Sequence, residues 1–122
     1  MITGKRYRDS LVRVNIKPLT VNQAWKGKRY KTDKYKQYER DVLHLLPKIK
    51  VPCGCQPRIV IEAGFSNSLS DIDNIAKPFI DILQKKYGFN DNRIYSLTLN
   101  KKLVARGDEY IDFLIGEFNE DL

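Results

Sequence analysis

Ile75, Phe79, Ile82 and Leu83 stand at offsets of four, seven and eight, so on a helix they form one apolar stripe. A stripe of that kind has to be covered, and the cover in a chain of this size is a sheet or another helix. The spacing predicts a helix from Asp73 to about Tyr87, with Gly88 as its C-terminal stop. Pro78 falls early in it and removes one backbone hydrogen bond. Just upstream, Ile59, Ile61, Ala63 and Phe65 alternate along Arg58 to Phe65, the period of a strand.

The rest of the chain supplies the remaining elements. From Leu11 to Lys17, Val12, Val14 and Ile16 face one way and Arg13, Asn15 and Lys17 the other, a half-buried strand ended by Pro18. Residues 18 to 32 show no apolar period and are expected to be a long loop. Tyr35, Tyr38, Val42 and Leu45 have helical spacing, which predicts a helix from about Asp33 to Leu46, stopped at Pro47. Ile94 to Val104 and Tyr110 to Phe118 are two further strands. The tight Arg106-Gly107-Asp108 connection between them suggests an antiparallel hairpin. The expected order is β-α-β-α-β-β: an α/β (α+β) chain whose small mixed sheet has two helices packed on it. Its 122 residues form one domain, 1–122, without repeats or low-complexity tracts.

Charge narrows the partner. Lys and Arg total 22 against 15 Asp and Glu, a net charge of +7 with a pI near 9.4. A domain this basic favours an anionic partner, nucleic acid first. Between Lys26 and Arg40, seven basic residues face only Asp33 and Glu39, so that window carries +5. Lys26, Lys28, Arg29, Lys31 and Lys34 are the candidate DNA-binding residues, because basic side chains suit phosphates. Trp25, Tyr30, Tyr35 and Tyr38 are interleaved with them. The helical spacing of Tyr35 and Tyr38 assigns those two to the core, while Trp25 and Tyr30 remain open as platforms for unpaired bases. The sequence has no apolar run of membrane-spanning length and no signal-peptide pattern, so a cytoplasmic protein without a membrane partner is expected.

Several chemistries find no support. Cys53 and Cys55 form Cys-Gly-Cys, where a disulfide across one residue would be strained. Zinc needs about four ligands, and His44 is the only histidine. Neither Gly-x-Ser-x-Gly nor a phosphate-binding glycine loop is present.

The acidic stretch Ser70-Asp71-Ile72-Asp73-Asn74-Ile75-Ala76-Lys77 stands out against this basic background. Asp71 and Asp73 are two apart and point to the same side if the backbone is extended. Asp73, Lys77 and Asp81 follow one another at one-turn intervals, opposite the apolar stripe. Such oxygen ligands suit Mg²⁺ or Mn²⁺. Asp73 is also a good N-cap, and the three charges also make a plain solvated ladder. Asp91, in Asn90-Asp91-Asn92, lies beyond a helix about 14 residues and roughly 20 Å long. It meets the first two carboxylates if the chain after Gly88 runs back along the helix, or if a partner subunit supplies it. Otherwise it is an ordinary turn aspartate.

Asp71-Ile72-Asp73-Asn74, Lys77 three beyond the asparagine, then Asp81, Gly88-Phe89 and Asp91 three before Ile94, together resemble the RusA-type Holliday-junction resolvases. Pro18, Asn22 and the basic segment are more loosely similar to the family's N-terminal part, and the likeness covers nearly the whole chain. It implies a homodimeric, Mg²⁺-dependent endodeoxyribonuclease, Mn²⁺ substituting, that cuts four-way DNA junctions by paired symmetric nicks in recombination and repair. Asp71, Asp73 and Asp91 would be the metal-binding catalytic carboxylates and Lys77 the catalytic or phosphate-contacting lysine. Such proteins are often encoded by prophages. Two positions depart from the pattern: Asn90 stands where members can carry another aspartate, and Ser70 where they can carry a basic residue. The competing expectations are a non-enzymatic basic DNA-binding module, a metal-dependent nuclease for flaps, single strands or other branched DNA, and an RNA-binding or ribosome-associated protein.

Overall fold

The apolar stripe of the second long helix is covered as its spacing requires: Ile75, Phe79, Ile82 and Leu83 are all fully buried. The computed structural model describes residues 11–26, 30–49, 56–69 and 71–117, with only the backbone at Asn22, Trp25, Lys26, Tyr30, Asp91 and Glu117. In chain order these form β1 (Val12–Val14), α1 (Val21–Ala24), β2 (Trp25–Lys26), β3 (Tyr30–Lys31), α2 (Asp33–Leu45), β4 (Pro57–Phe65) and α3 (Asp73–Tyr87). A 3-10 turn (Asp91–Arg93), β5 (Ser96–Leu103) and β6 (Tyr110–Glu117) complete them.

A four-stranded mixed sheet has the order β1-β6-β4-β5, and the two long helices lie against it, as expected for a small α+β fold. β4 is antiparallel to β6, with Ile61 opposite Phe113, and parallel to β5, with Ile61 opposite Leu99. β1 joins the other edge of β6, with Val12 opposite Phe113.

The last two strands do not form the expected hairpin, because β4 lies between them. β4 is buried on both faces from Ile59 to Phe65, the pattern of a central strand. α3 is the crossover that delivers β5 parallel to it, as parallel pairing demands. The turn at Arg106–Asp108 is real, with Gly107 at φ +96 and the Asp108 N–H donating to the Ala105 carbonyl at 3.0 Å. A tight turn does not choose the neighbouring strand. Six residues, 104–109, easily step across one strand, a distance of about 10 Å.

One face of the sheet carries the core. Ile59, Ile61, Ala63 and Phe65 meet Ile111, Phe113 and Ile115 there, beneath Tyr35, Tyr38 and Val42 of α2 and the stripe of α3. Phe79 and Phe113 touch edge to face, with ring centroids 5.6 Å apart. Tyr35 and Tyr38 are core residues, as their spacing indicates. Leu45 is exposed and Leu46 is buried in its place, because the helix ends at Leu45 and Leu46 turns extended. Thr32 caps α2, its Oγ1 accepting from the Tyr35 N–H at 3.0 Å.

Residues 18–32 are not one loop. They contain the single turn α1 and the β2–β3 ribbon, in which Trp25 pairs with Lys31 and Lys26 with Tyr30. Elements of four and two residues are too short for a period to show in the sequence. They are held by Thr32, whose N–H donates to Ala24 O at 3.0 Å and whose hydroxyl donates to Gln23 O at 2.6 Å.

The opposite face has a polar centre. Arg13 forms a bidentate pair with Asp112 and stacks 3.7 Å over the Tyr110 ring. Tyr110 donates to Glu62 Oε2 at 2.8 Å, and both Glu62 and Asp112 are buried. The ring lies across Gly64, where a Cβ would come within 2.5 Å of it.

Candidate metal and nucleic-acid site

The segment that carries Asp71 and Asp73 is braced before it reaches them. Lys101 of β5 donates to the Ser68 carbonyl at 2.9 Å, and the Ser66 hydroxyl donates to Glu109 Oε2 at 2.6 Å. The Leu69 N–H donates to Asn67 Oδ1 at 2.8 Å, an Asx turn. α3 then opens without a side-chain cap. Ile72 occupies the cap position in helical conformation, φ −63 and ψ −37, and among the described residues no side-chain cap bond forms there. The Asn74 N–H reaches Asp71 O and the Ile75 N–H reaches Ile72 O, each at 3.3 Å.

Two expectations change here. Asp73 is not the cap but the first helical residue, where its charge favours the helix dipole. The backbone between the two aspartates is a helical turn, so strand alternation does not align their side chains, and residues two apart on a helix do not face each other. Both carboxylates are exposed, and among the described residues neither has a hydrogen-bond or ion-pair partner. The ladder is half formed: Lys77 Nζ pairs with Asp81 Oδ1 at 2.9 Å. Asp81 also accepts from Gln84 Nε2 at 3.2 Å.

Asp91 opens the 3-10 turn, which packs against α3. Three residues later the chain borders a groove of about 360 Å³ lined by Lys77, Ile80, Ile94, Tyr95, Ser96 and Leu97. The entry to β5 and the turn of α3 that holds Lys77 thus border the same groove. Among the described residues no three His, Cys, Asp or Glu side chains gather as metal ligands. The Asp91 side chain lies outside those described, so Asp71, Asp73 and Asp91 are not seen together as a trio. The donor chemistry of the first two fits a hard cation: Mg²⁺ uses one or two carboxylates and completes its shell with water and phosphate oxygens.

The basic window divides. Lys31 pairs with Glu39 at 3.4 Å and lies 5.1 Å from the Tyr35 ring centroid. Glu39 also takes Lys85, at 3.3 Å. Lys34 is exposed beside a groove shared with Lys17, Gln37 and Asp41. Lys26 is described by its backbone alone, as are Trp25 and Tyr30. Lys28, Arg29, Cys53 and Cys55 lie outside the described residues. Burial raises the Tyr35 and Tyr38 hydroxyls well above the ordinary tyrosine range, so both stay protonated and neutral.

Comparison with protein-family models finds no match, and comparison with curated proteins finds none either. Among the described residues no helix is long and apolar enough to cross a membrane.

Proposed function

We propose that the chain is a metal-dependent endodeoxyribonuclease that resolves four-way DNA junctions by paired nicks, as the RusA-type resolvases it resembles do. The observation that carries the proposal is the pair Asp71 and Asp73 at the start of α3. Both are exposed, neither caps the helix, and neither has a described partner. No hydrogen bond or ion pair among the described residues engages either carboxylate, and Lys77 stands one turn beyond the second.

When bound, Mg²⁺ or Mn²⁺ supplies a Lewis acid for the scissile phosphate and a water of lowered pKa. Asp71 and Asp73 would hold the ion, with Asp91 as third carboxylate. The Lys77 ammonium offsets charge that develops at phosphorus. Its pairing with Asp81 restrains a long side chain that would otherwise sample many rotamers. Lys26, Lys28, Arg29, Lys31 and Lys34 supply sequence-independent affinity for the backbone, which the acidic site alone would repel. Symmetric nicking requires two such sites related by a two-fold axis, hence a homodimer.

The test is incubation of the purified protein with an end-labelled mobile four-way junction, with and without Mg²⁺, and mapping of the nicks. Paired nicks at symmetric positions, dependent on Mg²⁺ and absent from linear duplex, are expected. Tight junction binding without any cleavage in Mg²⁺ or Mn²⁺ would instead make the protein a binding module. Cleavage of flaps or single strands in preference would change the substrate.

A further inference from the structure

A cleft beside the acidic segment runs between two parts of the chain that lie far apart in sequence. One wall is Lys17, Thr20 and Gln23, which lead into the basic window at Lys26. The other includes Ser66 and Asn67, which lead into Asp71, and Arg106 stands at the β5–β6 connection. Its volume is about 960 Å³.

The polar atoms of this cleft are polarised in one sense. Gln23 Oε1 already accepts from the Thr20 N–H at 3.3 Å and from its hydroxyl at 3.4 Å, which leaves the Gln23 amide N–H groups to donate. Asn67 Oδ1 is likewise taken by the Leu69 N–H, leaving its amide N–H groups to donate. Among the described residues Glu109 is the one carboxylate in the lining, and each of its oxygens accepts a hydrogen bond, Oε2 from Ser66 and Oε1 from the Gly107 N–H at 2.9 Å. Lys17 and Arg106 are exposed cations. Two cations, Lys17 and Arg106, and the free amide N–H groups of Gln23 and Asn67 outnumber the single described carboxylate, so the lining offers donors and a net positive charge to phosphate oxygens. Among the described residues Pro18 and Phe65 are the apolar ones in the lining, too few for the mostly apolar lining of a small-molecule pocket.

We infer that this cleft is a track for the DNA backbone between the basic window and the acidic site, with Lys17 and Arg106 each contacting a phosphate of the strand that continues to Asp71. The inference rests on the proposed nuclease reading for its direction along the strand, and on the cleft alone for its phosphate contacts.

The experiment measures metal-free junction binding by fluorescence anisotropy across a range of salt concentrations. It compares wild type, Lys17→Gln, Arg106→Gln, the double variant, and a charge-matched control, Lys86→Gln with Lys102→Gln, whose lysines are exposed and lie outside the cleft lining. Each cleft substitution should lower the slope of log K against log salt by roughly one unit, and the pair by roughly two, with the control nearly unchanged. Thermal melts confirm equal folding, which the exposure of all four side chains favours. A cleft pair that changes the slope no more than the control does would overturn the track. Wild-type nicking in Mg²⁺ is scored separately. A protein that binds through the cleft but never cuts refutes the nuclease reading alone, and one that cuts with an unaltered slope in the double variant refutes the track alone.

Discussion

Lys77 and Asp81 are joined by a 2.9 Å ion pair along α3, while Asp73, one turn to the other side of the lysine, has no partner among the described residues. The lysine is about half exposed, so the pair contributes little stability, on the order of 0.3–0.5 kcal/mol. Lys77→Ala should therefore melt close to wild type. It should lose junction cleavage with at most a modest loss of binding, measured by gel shift and single-turnover nicking. Asp81→Asn, which removes the restraint but keeps the amine, should reduce cleavage less than Lys77→Ala. Equal cleavage by wild type and Lys77→Ala would remove the lysine from the chemistry.

Asp71→Asn, Asp73→Asn and Asp91→Asn each keep side-chain size and lose the charge a hard cation needs. Each should abolish or severely reduce cleavage while metal-free junction binding stays equal or tightens. Because Asp73 does not cap α3, its replacement should change stability by less than about 1 kcal/mol, the usual cost of losing a cap. Variants that nick at near wild-type rate in both Mg²⁺ and Mn²⁺, at equal folded concentration, would refute the metal site.

Neutralising Lys28, Arg29 and Lys31 should flatten the salt dependence of DNA binding by roughly one unit for each phosphate that no longer meets a cation. Lys31 shares its charge with Glu39, so its effect should be the smallest of the three. An unchanged slope would take DNA contact away from this window.

Gly64 and Tyr110 set a limit on the sheet. Gly64→Ala puts a methyl within 2.5 Å of the Tyr110 ring and should cost about 1–3 kcal/mol by denaturant unfolding. Tyr110 also predicts an alkaline limit. Burial first, and then its bond to Glu62, raise the hydroxyl from 10.0 to about 12. The folded state keeps the proton that the unfolded chain releases near pH 10. This stabilisation is complete below pH 10 and is lost as pH rises towards 12, at about 1.4 kcal/mol per unit. Tyr110→Phe should cost about 1 kcal/mol at neutral pH for the missing hydrogen bond, and it should unfold less steeply with pH above 10. A parallel pH profile for the two proteins would contradict that assignment.

The proposed symmetric nicking requires a dimer, and among the described residues β5 is the longer of the two edge strands of the sheet. Leu97 and Leu103 on it, and Tyr95 just before it, are 44%, 63% and 60% exposed. Sedimentation should show a dimer at micromolar concentration, and Leu97→Lys should shift it towards monomer. A wild-type monomer, both free and on the junction, would count against the paired mechanism.

What the sequence disclosed follows from the range of its signals. The stripe Ile75–Leu83, the alternation Ile59–Phe65 and the Gly88 stop, at φ +77, are local patterns with a single physical solution, and they stand. Strand neighbours are not a local property, so the turn at Gly107 suggested a hairpin that the doubly buried β4 interrupts. The acidic pair was legible as residue types, but the helical turn at Ile72 that separates the two was not, since nothing in Asp-Ile-Asp distinguishes it from extended chain. Lys17 and Arg106 carried no signal at all. Each is a lone cation, and only the packing of β1, α1 and the β5–β6 turn makes them neighbours of one cleft.

The central place of β6 bears on how the chain is made. β6 is last in sequence of the four strands, yet it is the one that joins β1 to the rest of the sheet, pairing Val12 with Phe113. A ribosome therefore releases β1, both long helices and the β4–β5 pair before the strand that unites them exists. Contacts across some hundred residues are slow to form. Until they do, β1 is unpaired and one edge of β4 is open, the kind of edge that invites aggregation. Folding should then be a late event of synthesis, triggered when the stretch around Phe113 clears the exit tunnel, and nascent chains stalled before it should be held by chaperones.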